Sequence, residues 1–221
     1  MNANGIPVIA IDGPSASGKG TVAQRVAASL GFHYLDSGAL YRLVALAAER
    51  AGVALTEEAG LARLAGGLPV VFRDSKILFE NKEVTDVIRT EAMSVAASMV
   101  AALPAVRTAL LARQRGFRQP PGLVADGRDM GSVVFPDATL KVFLTASPEV
   151  RAERRYKQLM DKGMNANLAA LLQELRQRDA RDSGRAVAPL LKGADAVELD
   201  TTGLSIDAAV SKVLAQYQRV T

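Results

Sequence analysis

The chain has 221 residues, no cysteine, no tryptophan and one histidine, His33. Without cysteine there are no disulfide frameworks, iron–sulfur clusters, thiolate zinc sites or cysteine nucleophiles. One histidine excludes a His-rich metal site, and we interpret His33 as a packed, hydrogen-bonded residue and not as a catalytic one. Hydrophobic residues at 49% and charged residues at 23% exclude disorder as the main state.

Long apolar runs are also missing. No segment approaches the roughly 20 apolar residues that a membrane span needs. The first apolar run ends early at Asp12 and has no basic residue before it, which is unlike a secretory signal. We therefore expect a cytoplasmic protein that does not act on a membrane.

The net charge of +4 lies in one segment. Residues 151–185 hold seven arginines and two lysines against five acidic residues, and the rest of the chain is balanced. The planar guanidinium group suits bidentate binding of phosphate or carboxylate. The segment indicates a phosphorylated small molecule or a nucleic acid as the partner, or a solvated helix face. Aromatic residues at 5% provide few stacking surfaces, which argues against nucleic acid.

Strand-like and helix-like segments alternate along the chain. Short apolar runs typical of buried parallel strands occur at 6–11, 32–35, 123–125, 139–144 and 196–199. Residues 69–90 break this rhythm with short strands and polar turns around Asp74-Ser75 and Asn81-Lys82. The pattern predicts an α/β fold: an open, mostly parallel sheet flanked by helices, with a small β insert. Such sheets bind ligands at the carboxyl ends of their strands.

A glycine-rich segment, IDGPSASGKGT (11–21), lies between the first strand and the first helix. Gly13, Gly18 and Lys19 fit the spacing G-x-x-x-x-G-K, in which backbone N–H groups surround a phosphate and the lysine reaches the terminal phosphates of a nucleotide. The helix adds its positive N-terminal end. The residues that we expect to bind the donor nucleotide are Gly13, Pro14, Ser15, Ala16, Ser17, Gly18, Lys19, Gly20 and Thr21.

This loop departs from the usual pattern at one position. A Ser or Thr that ligates magnesium commonly follows the lysine directly, whereas here Gly20 precedes Thr21. We therefore assign no side chain as a metal ligand and expect Mg²⁺ to be held mainly by phosphates and water. Asp126, just after a strand, could orient either Arg128 or a magnesium-bound water.

Three later segments are more specific to a single protein family than the loop is: LDSGALYR (35–42), ADGRDMGSVVFPDA (125–138) and RDARDSGRAVAPL (178–190). With the loop, they make residues 6–215 resemble the bacterial cytidylate kinases, which are nucleoside monophosphate kinases of the P-loop NTPase class. The resemblance implies transfer of the γ-phosphate of ATP to CMP or dCMP in a cytoplasmic, monomeric enzyme that uses Mg²⁺.

The resemblance also implies how the chain is divided. It predicts a single P-loop kinase domain over residues 1–221, with its core at about 1–38, 104–147 and 186–221. The lobe that binds the nucleoside monophosphate (NMP) would span about 39–103, including the β insert at 69–90. A helical lid with the basic helices would occupy about 148–185.

Site residues follow from the resemblance position by position. The sugar-phosphate end of the acceptor would be held by Ser37, Arg42, Arg128 and Arg185. The pentose hydroxyls would meet Arg178 and Asp182, and cytosine would be recognised by Ser98, Arg107 and Asp129. The lid arginines would be Arg151, Arg154 and Arg155. Catalysis would depend on Lys19, Arg128, Arg185 and Arg155.

A carboxylate at Asp129 suits cytosine, because it accepts from the exocyclic amino group, where uracil has a carbonyl. Simpler interpretations stay open at this point. Asp129 could cap a turn or pair with Arg128, Ser98 could be a packing residue, and Arg107 could lie on a helix surface. For the whole chain, the alternatives are a kinase of the same fold with another acceptor and an ATP-dependent nucleic-acid-binding protein.

Overall fold

The computed structural model describes residues 5–73, 76–161 and 163–221. The described residues form two compact units: the first unit contains those up to Leu35 and those of Phe117–Thr221, and the second unit contains those of Asp36–Gly116. The turn predicted at Asp74-Ser75 lies outside the described residues.

Strands and helices alternate as the sequence predicts. In chain order, the strands are β1 (Val8–Asp12), β2 (His33–Asp36), β3 (Val70–Arg73), β4 (Lys76–Phe79), β5 (Lys82–Glu83), β6 (Leu123–Gly127), β7 (Leu140–Thr145) and β8 (Val197–Asp200). The helices are α1 (Lys19–Leu30), α2 (Ser37–Ala51), α3 (Glu58–Gly66), α4 (Glu91–Val100), α5 (Pro104–Gly116), α6 (Pro148–Asp161), α7 (Leu168–Ser183) and α8 (Ile206–Val220). Short turns of 3₁₀ and π geometry occupy Val87–Arg89 and Met130–Val134.

The first unit is built on a five-stranded sheet in the order β2-β6-β1-β7-β8. Strand β1 runs parallel to β6 and to β7, and β7 runs parallel to β8. All five residues of the central strand β1 are buried, which explains why this strand is an apolar run without alternation. Helices α1 and α8 pack together over one side of the core, with Val22 and Val213 against Ile9 and Val142. The predicted open parallel sheet is confirmed.

Helix ends in the first unit follow local chemistry that the sequence displays. Gly31 ends α1 in the left-handed conformation with φ of 67°, a position that favours glycine. The side chains of Asn167 and Ser205 accept from the backbone N–H groups of Ala170 and Ala208, and so cap α7 and α8. Helix α1 itself begins at Lys19, directly after Gly18 of the glycine-rich segment.

The second unit contains α2 to α5 and a three-stranded antiparallel sheet in the order β3-β4-β5. Glu80 and Asn81 link β4 to β5 with positive φ angles of 51° and 61°, so the turn predicted near Asn81 is confirmed. Helix α2 packs against α4. The β insert expected at 69–90 is therefore present as a small sheet among helices.

Helix α5 lies in the second unit, although the sequence division assigned residues 104–116 to the core. It packs against α3, where the Glu58 carboxylate accepts from the backbone N–H of Ala105 at 2.7 Å. The core, lobe and lid boundaries that the resemblance implies all stay predictions. Within the described ranges, no single helix is long and apolar enough to cross a bilayer, and α4 and α5 pass that test only together, across a 102° bend.

Candidate functional site

The glycine-rich loop passes from the end of β1 to the start of α1. Gly13 has φ of 154°, and a Cβ built there would lie 2.0 Å from the carbonyl oxygen of Leu144 in β7. Only glycine lets the loop pass so close to the strand. Gly18 precedes α1 in the left-handed conformation and provides no side-chain cap. The positive end of the helix therefore faces the loop, as anion binding requires.

Two side chains of the loop show what it is built to hold. The Nζ of Lys19 lies 3.1 Å from the carbonyl oxygen of Pro14, so the lysine curls over the loop. The Oγ of Ser17 is buried and has no hydrogen-bond partner among the described residues. Because buried hydroxyls are normally paired, this one fits a loop that receives a polar ligand. Backbone amides, a lysine and a hydroxyl together form a donor set that suits phosphate oxygens.

Arg128, just after β6, connects the loop to the basic helices of the first unit. Its Nη2 donates to the Ser15 hydroxyl at 2.9 Å, and its Nε donates to the Asp182 carboxylate at 2.7 Å. The same carboxylate accepts a hydrogen bond from Arg185. Arg128, Asp182 and Arg185 are therefore brought together beside the loop, although they are far apart in the sequence.

Asp182 stays ionised at the centre of this group. Burial raises the pKa of its carboxyl, but the charges of Arg128 and Arg185 outweigh that effect, so the pKa lies below its ordinary value. Its side chain is only 1% exposed. A buried carboxylate between two guanidinium groups holds both of them in fixed directions.

Arg151 and Arg154, two of the predicted lid arginines, donate hydrogen bonds to backbone carbonyl groups of the loop. Arg151 is 3% exposed, and it donates to the carbonyl oxygen of Ser15 at 3.1 Å and to the Asp179 carboxylate at 2.5 Å. Arg154 donates to the carbonyl oxygens of Ser17 and Thr201 at 3.2 and 2.6 Å. Both side chains therefore bind backbone carbonyl groups of the loop and support its conformation. Of the other predicted residues on α6 and α7, Arg155 and Arg178 are half-buried.

Three carboxylates are buried at the carboxyl ends of β1 and β6. The Oδ2 of Asp126 accepts from the Tyr34 hydroxyl at 3.0 Å and would lie 3.1 Å from a Cβ at Gly20. Asp129 is buried at the start of the π turn. Asp12 accepts hydrogen bonds from the backbone N–H groups of Met130 and Gly131. The sequence analysis did not identify Asp12 as a site residue, because the sequence shows it only as an acid at the end of an apolar strand.

In the second unit, Ser37 and Arg42 lie on the first turns of α2. Ser37 is buried, and its hydroxyl accepts from Gln114 at 2.8 Å. Asp36 caps α2 through the N–H of Ala39 and lies 3.4 Å from the guanidinium of Arg42. The Nε of Arg42 is buried without a partner among the described residues. The Nε of Arg42 and the hydroxyl of Ser37 are therefore two polar groups near the start of the same helix.

The two residues of the second unit that are predicted to recognise the base, Ser98 and Arg107, are both buried. Ser98 lies on α4, and Arg107 lies on α5 with its Nη1 donating to the carbonyl oxygen of Ala101 at 3.0 Å. The Arg107 guanidinium also lies 5.7 Å from the centre of the Tyr41 ring. The alternative that Arg107 is a surface residue of a helix is therefore wrong.

His33 differs from its interpretation as a packed residue. It is exposed, although its Nε2 lies 2.9 Å from the carbonyl oxygen of Pro120. In the described part of the chain, no group of three or more His, Asp or Glu side chains is placed to hold a metal ion. The site chemistry therefore centres on the loop, the arginines and the buried carboxylates.

Comparison with known proteins identifies relatives over nearly the whole chain. A family model described as cytidylate kinase matches residues 9–219. The cytidylate kinase of Chromobacterium violaceum is 62% identical and is aligned over 96% of each chain. That of Nitrosomonas europaea is 58% identical over 98% of this chain and 97% of the relative, and that of Burkholderia thailandensis is 60% identical over 97% and 94%.

Solved structures share the fold at much lower identity. A gluconokinase from Sinorhizobium meliloti 1021 has a TM-score of 0.50 at 18% identity, covering 97% of this chain and 93% of its own. An uncharacterized protein from Eubacterium ventriosum has a TM-score of 0.55 at 11% identity, with coverage of 96% and 98%. These likenesses agree with the P-loop NTPase fold. The extent and level of the sequence identity confirm what the four motifs indicated: this chain belongs to the cytidylate kinase family.

Proposed function

We propose that this chain transfers the γ-phosphate of ATP to CMP or dCMP, giving ADP and CDP or dCDP, by direct in-line attack. The observation that supports this proposal most strongly is that Arg128 contacts both Ser15 of the phosphate-binding loop and Asp182. The carboxylate of Asp182 also binds Arg185. A kinase with a phosphorylated acceptor must bring two anions together. Guanidinium groups next to the donor loop lower the resulting repulsion and stabilise the charge of the transferring group.

On the donor side, the loop Gly13–Thr21 binds the phosphates of ATP. The backbone amides and the N-terminal end of α1 surround the phosphate oxygens, and Lys19 moves from the Pro14 carbonyl to the β- and γ-phosphates. Lys19 is catalytic in this scheme, because its charge follows the phosphoryl group as negative charge develops.

Magnesium fits the residues that are present, but only as an ion held mainly by phosphates and water. Asp126 is buried beside Gly20 and offers carboxylate oxygens, which suit a magnesium-bound water. Thr21 is exposed and stands one position later than the usual ligand. When bound, Mg²⁺ would neutralise charge on the phosphate oxygens.

On the acceptor side, each residue has a distinct role. Ser37, Arg42, Arg128 and Arg185 bind the sugar-phosphate end of CMP. Arg178 and Asp182 bind the pentose hydroxyls. Ser98, Arg107 and Asp129 recognise cytosine, with Asp129 accepting from the amino group. Burial of all three base-recognising residues supports this role, because a mismatched base would leave buried polar groups unpaired.

The reaction needs no strong general base. The acceptor phosphate is largely deprotonated at neutral pH and is itself the nucleophile. This agrees with the position of His33, which is exposed. Its ring nitrogen contacts the backbone carbonyl of Pro120 and not a residue proposed to bind phosphate. Arg155 on α6 is assigned to the transferring group, and closure of the lid segment would exclude water, which competes as an acceptor.

The same proposal describes a cytoplasmic monomer whose partners are ATP, CMP and dCMP, with no nucleic acid and no membrane. It is tested by incubating the purified chain with ATP, Mg²⁺ and a panel of acceptors that includes CMP, dCMP, UMP, GMP and single-stranded DNA. Mass spectrometry should show CDP and dCDP, with far less UDP. Phosphorylation of another acceptor in place of CMP, or ATP hydrolysis that depends on DNA, would overturn it.

A further inference from the structure

Asp12 connects two segments that the proposed function assigns to different substrates. It is the last residue of β1 and directly precedes Gly13 of the phosphate-binding loop. Its carboxylate accepts from the backbone N–H of Met130 through Oδ1 and from that of Gly131 through Oδ2, each at 2.8 Å. The side chain is buried. Both of its oxygens are thus committed to the segment that follows β6.

These hydrogen bonds cap the π turn at Met130–Val134. The first N–H groups of a helical turn have no partner within the turn, and Asp129, at the capping position, makes no side-chain cap. The carboxylate of Asp12 supplies the cap from the neighbouring strand. The start of the turn is therefore fixed to β1.

The short span between this cap and the sheet contains the proposed acceptor residues. In the parallel ladder, Asp12 is the partner of Gly127, the last residue of β6. The backbone is thus fixed at Gly127 by the ladder and at Met130 by the carboxylate, and Arg128 and Asp129 lie between these two points. With both ends of so short a span fixed, the directions of its two side chains are set.

Stability alone is a poor reason for an acid at this position. Burial raises the pKa of Asp12 to about 6, against the lowering effect of the two backbone hydrogen bonds. Among the charged groups around it, Asp129 raises this pKa and Arg128 lowers it, while Lys141 and Asp195 line the cavity of about 230 Å³ beside Asp12 and pair with each other. A buried carboxylate is costly, and apolar replacement of buried charges is often neutral or stabilising.

We propose that Asp12 is a positioning residue that aims Arg128 and Asp129 at the acceptor, and so sets acceptor affinity and the preference for cytosine. This inference rests on the proposed function, which gives Arg128 and Asp129 those roles. Asp12 touches neither substrate in this scheme. Misplacement of binding groups by a fraction of an ångström is enough to weaken such a site.

The test is Asp12→Asn, which keeps the size of the side chain but places an amide N–H₂ against one of the two backbone N–H groups. We expect the KM for CMP to rise about tenfold and the ratio of kcat/KM for CMP to that for UMP to fall about tenfold. The KM for ATP should change less than about twofold. The acceptor ratio does not depend on the fraction of active protein, so a merely structural defect would leave it unchanged.

Asp195→Asn is the matched control, because it makes the same charge change in the same cavity at an exposed residue paired with Lys141. It should keep the wild-type kinetics. Asp12→Ser, which also loses the two-oxygen cap, is measured in parallel in case Asp12→Asn does not fold. If neither variant folds, Asp12 serves folding and the positioning role is overturned.

The outcomes separate the two proposals. A wild-type chain that does not phosphorylate CMP overturns the proposed function. A wild-type chain that does so, with an Asp12→Asn variant that keeps both its CMP affinity and its acceptor ratio, overturns only the positioning role.

Discussion

The Oγ of Ser15 lies 2.9 Å from the Nη2 of Arg128 and accepts its hydrogen bond. The carbonyl oxygen of the same serine accepts from Arg151. One residue of the phosphate-binding loop thus contacts two arginines from distant parts of the chain. The position of the donor loop and the direction of a proposed acceptor residue are consequently linked through a single side chain.

Ser15→Ala should weaken acceptor binding more than donor binding. The variant keeps the loop backbone but removes one partner of Arg128, which retains Asp182. A hydrogen bond to a charged group contributes about 1.5 kcal/mol, so we expect the KM for CMP to rise about tenfold and that for ATP much less. Steady-state kinetics measure both, with Ser29→Ala as the control, because Ser29 is exposed and bonds within its own helix. Equal changes in the two KM values would contradict the link.

Lys19→Ala should lower kcat by orders of magnitude while the chain stays folded. The lysine supplies the side-chain charge of the loop, and its bond to the Pro14 carbonyl is too weak to hold the fold. Lys192→Ala removes an exposed lysine that pairs with Glu198 and should have no effect. Turnover and thermal unfolding are compared for both variants. Near-normal turnover in a folded Lys19→Ala protein is incompatible with the mechanism.

Asp129→Asn should reduce the preference for CMP over UMP by about tenfold or more. An amide can rotate to donate to the uracil carbonyl, whereas the carboxylate only accepts. Competition between the two acceptors, followed by mass spectrometry, measures the preference directly, and the KM for ATP serves as the internal control. An unchanged preference would remove Asp129 from base recognition.

Asp12 should make stability depend on pH in a direction opposite to that of most acids. Burial, the largest cause, raises its pKa from 3.8 to about 6. Between these values the folded state binds more protons than the unfolded state, so the free energy of unfolding falls as pH rises. Well above pH 6 the full cost applies, about 3 kcal/mol. Well below pH 3.8 both states are protonated and the cost vanishes.

Urea unfolding of the wild type and Asp12→Asn at pH 4 and pH 7.5 measures this dependence. The variant cannot titrate at this position. The free energy of unfolding of the variant minus that of the wild type should therefore be larger by about 2 kcal/mol at pH 7.5 than at pH 4, where a small part of the cost already applies. The same difference at both pH values would show that Asp12 does not titrate in this range.

Arg151→Ala should destabilise the first unit. Arg151 is buried and pairs with Asp179, joining α6 to α7, and removal of one partner of a buried pair costs about 3 kcal/mol. Arg176→Ala breaks the exposed pair with Glu149 between the same two helices and should cost less than about 0.5 kcal/mol. Urea unfolding compares the two. Equal losses would mean that the burial of Arg151 has no energetic consequence.

Local features of this fold could be predicted because they depend on neighbouring residues. The apolar run of β1 needs only burial on both faces, and the caps at Asn167 and Ser205 need only a side-chain oxygen before a helix. The phosphate-binding loop is equally local, since its glycines and lysine lie within a few positions. The motifs then identified the family, which the comparisons confirm.

Long-range contacts could not be predicted from the same patterns. The spacing of Arg151 and Arg154 places them on one face of a helix, but which carbonyl groups lie opposite depends on the packing of α6 against the loop. Asp12 reaches across to Met130 from another strand, and no periodicity shows where a buried carboxylate points. The roles assigned to the acceptor residues stay predictions, because their geometry with a bound nucleotide depends on the ligand.

The close approach of Gly13 to Leu144 also limits which amino-acid substitutions the chain can accept. Hydrogen is the only substituent that fits between the loop and the neighbouring carbonyl group. Substitution at this position therefore disturbs sheet packing and phosphate binding in the same step. Phosphate binding by this loop therefore depends on the packing of the sheet, so sequence changes that alter specificity have more room at the segments proposed to bind the acceptor.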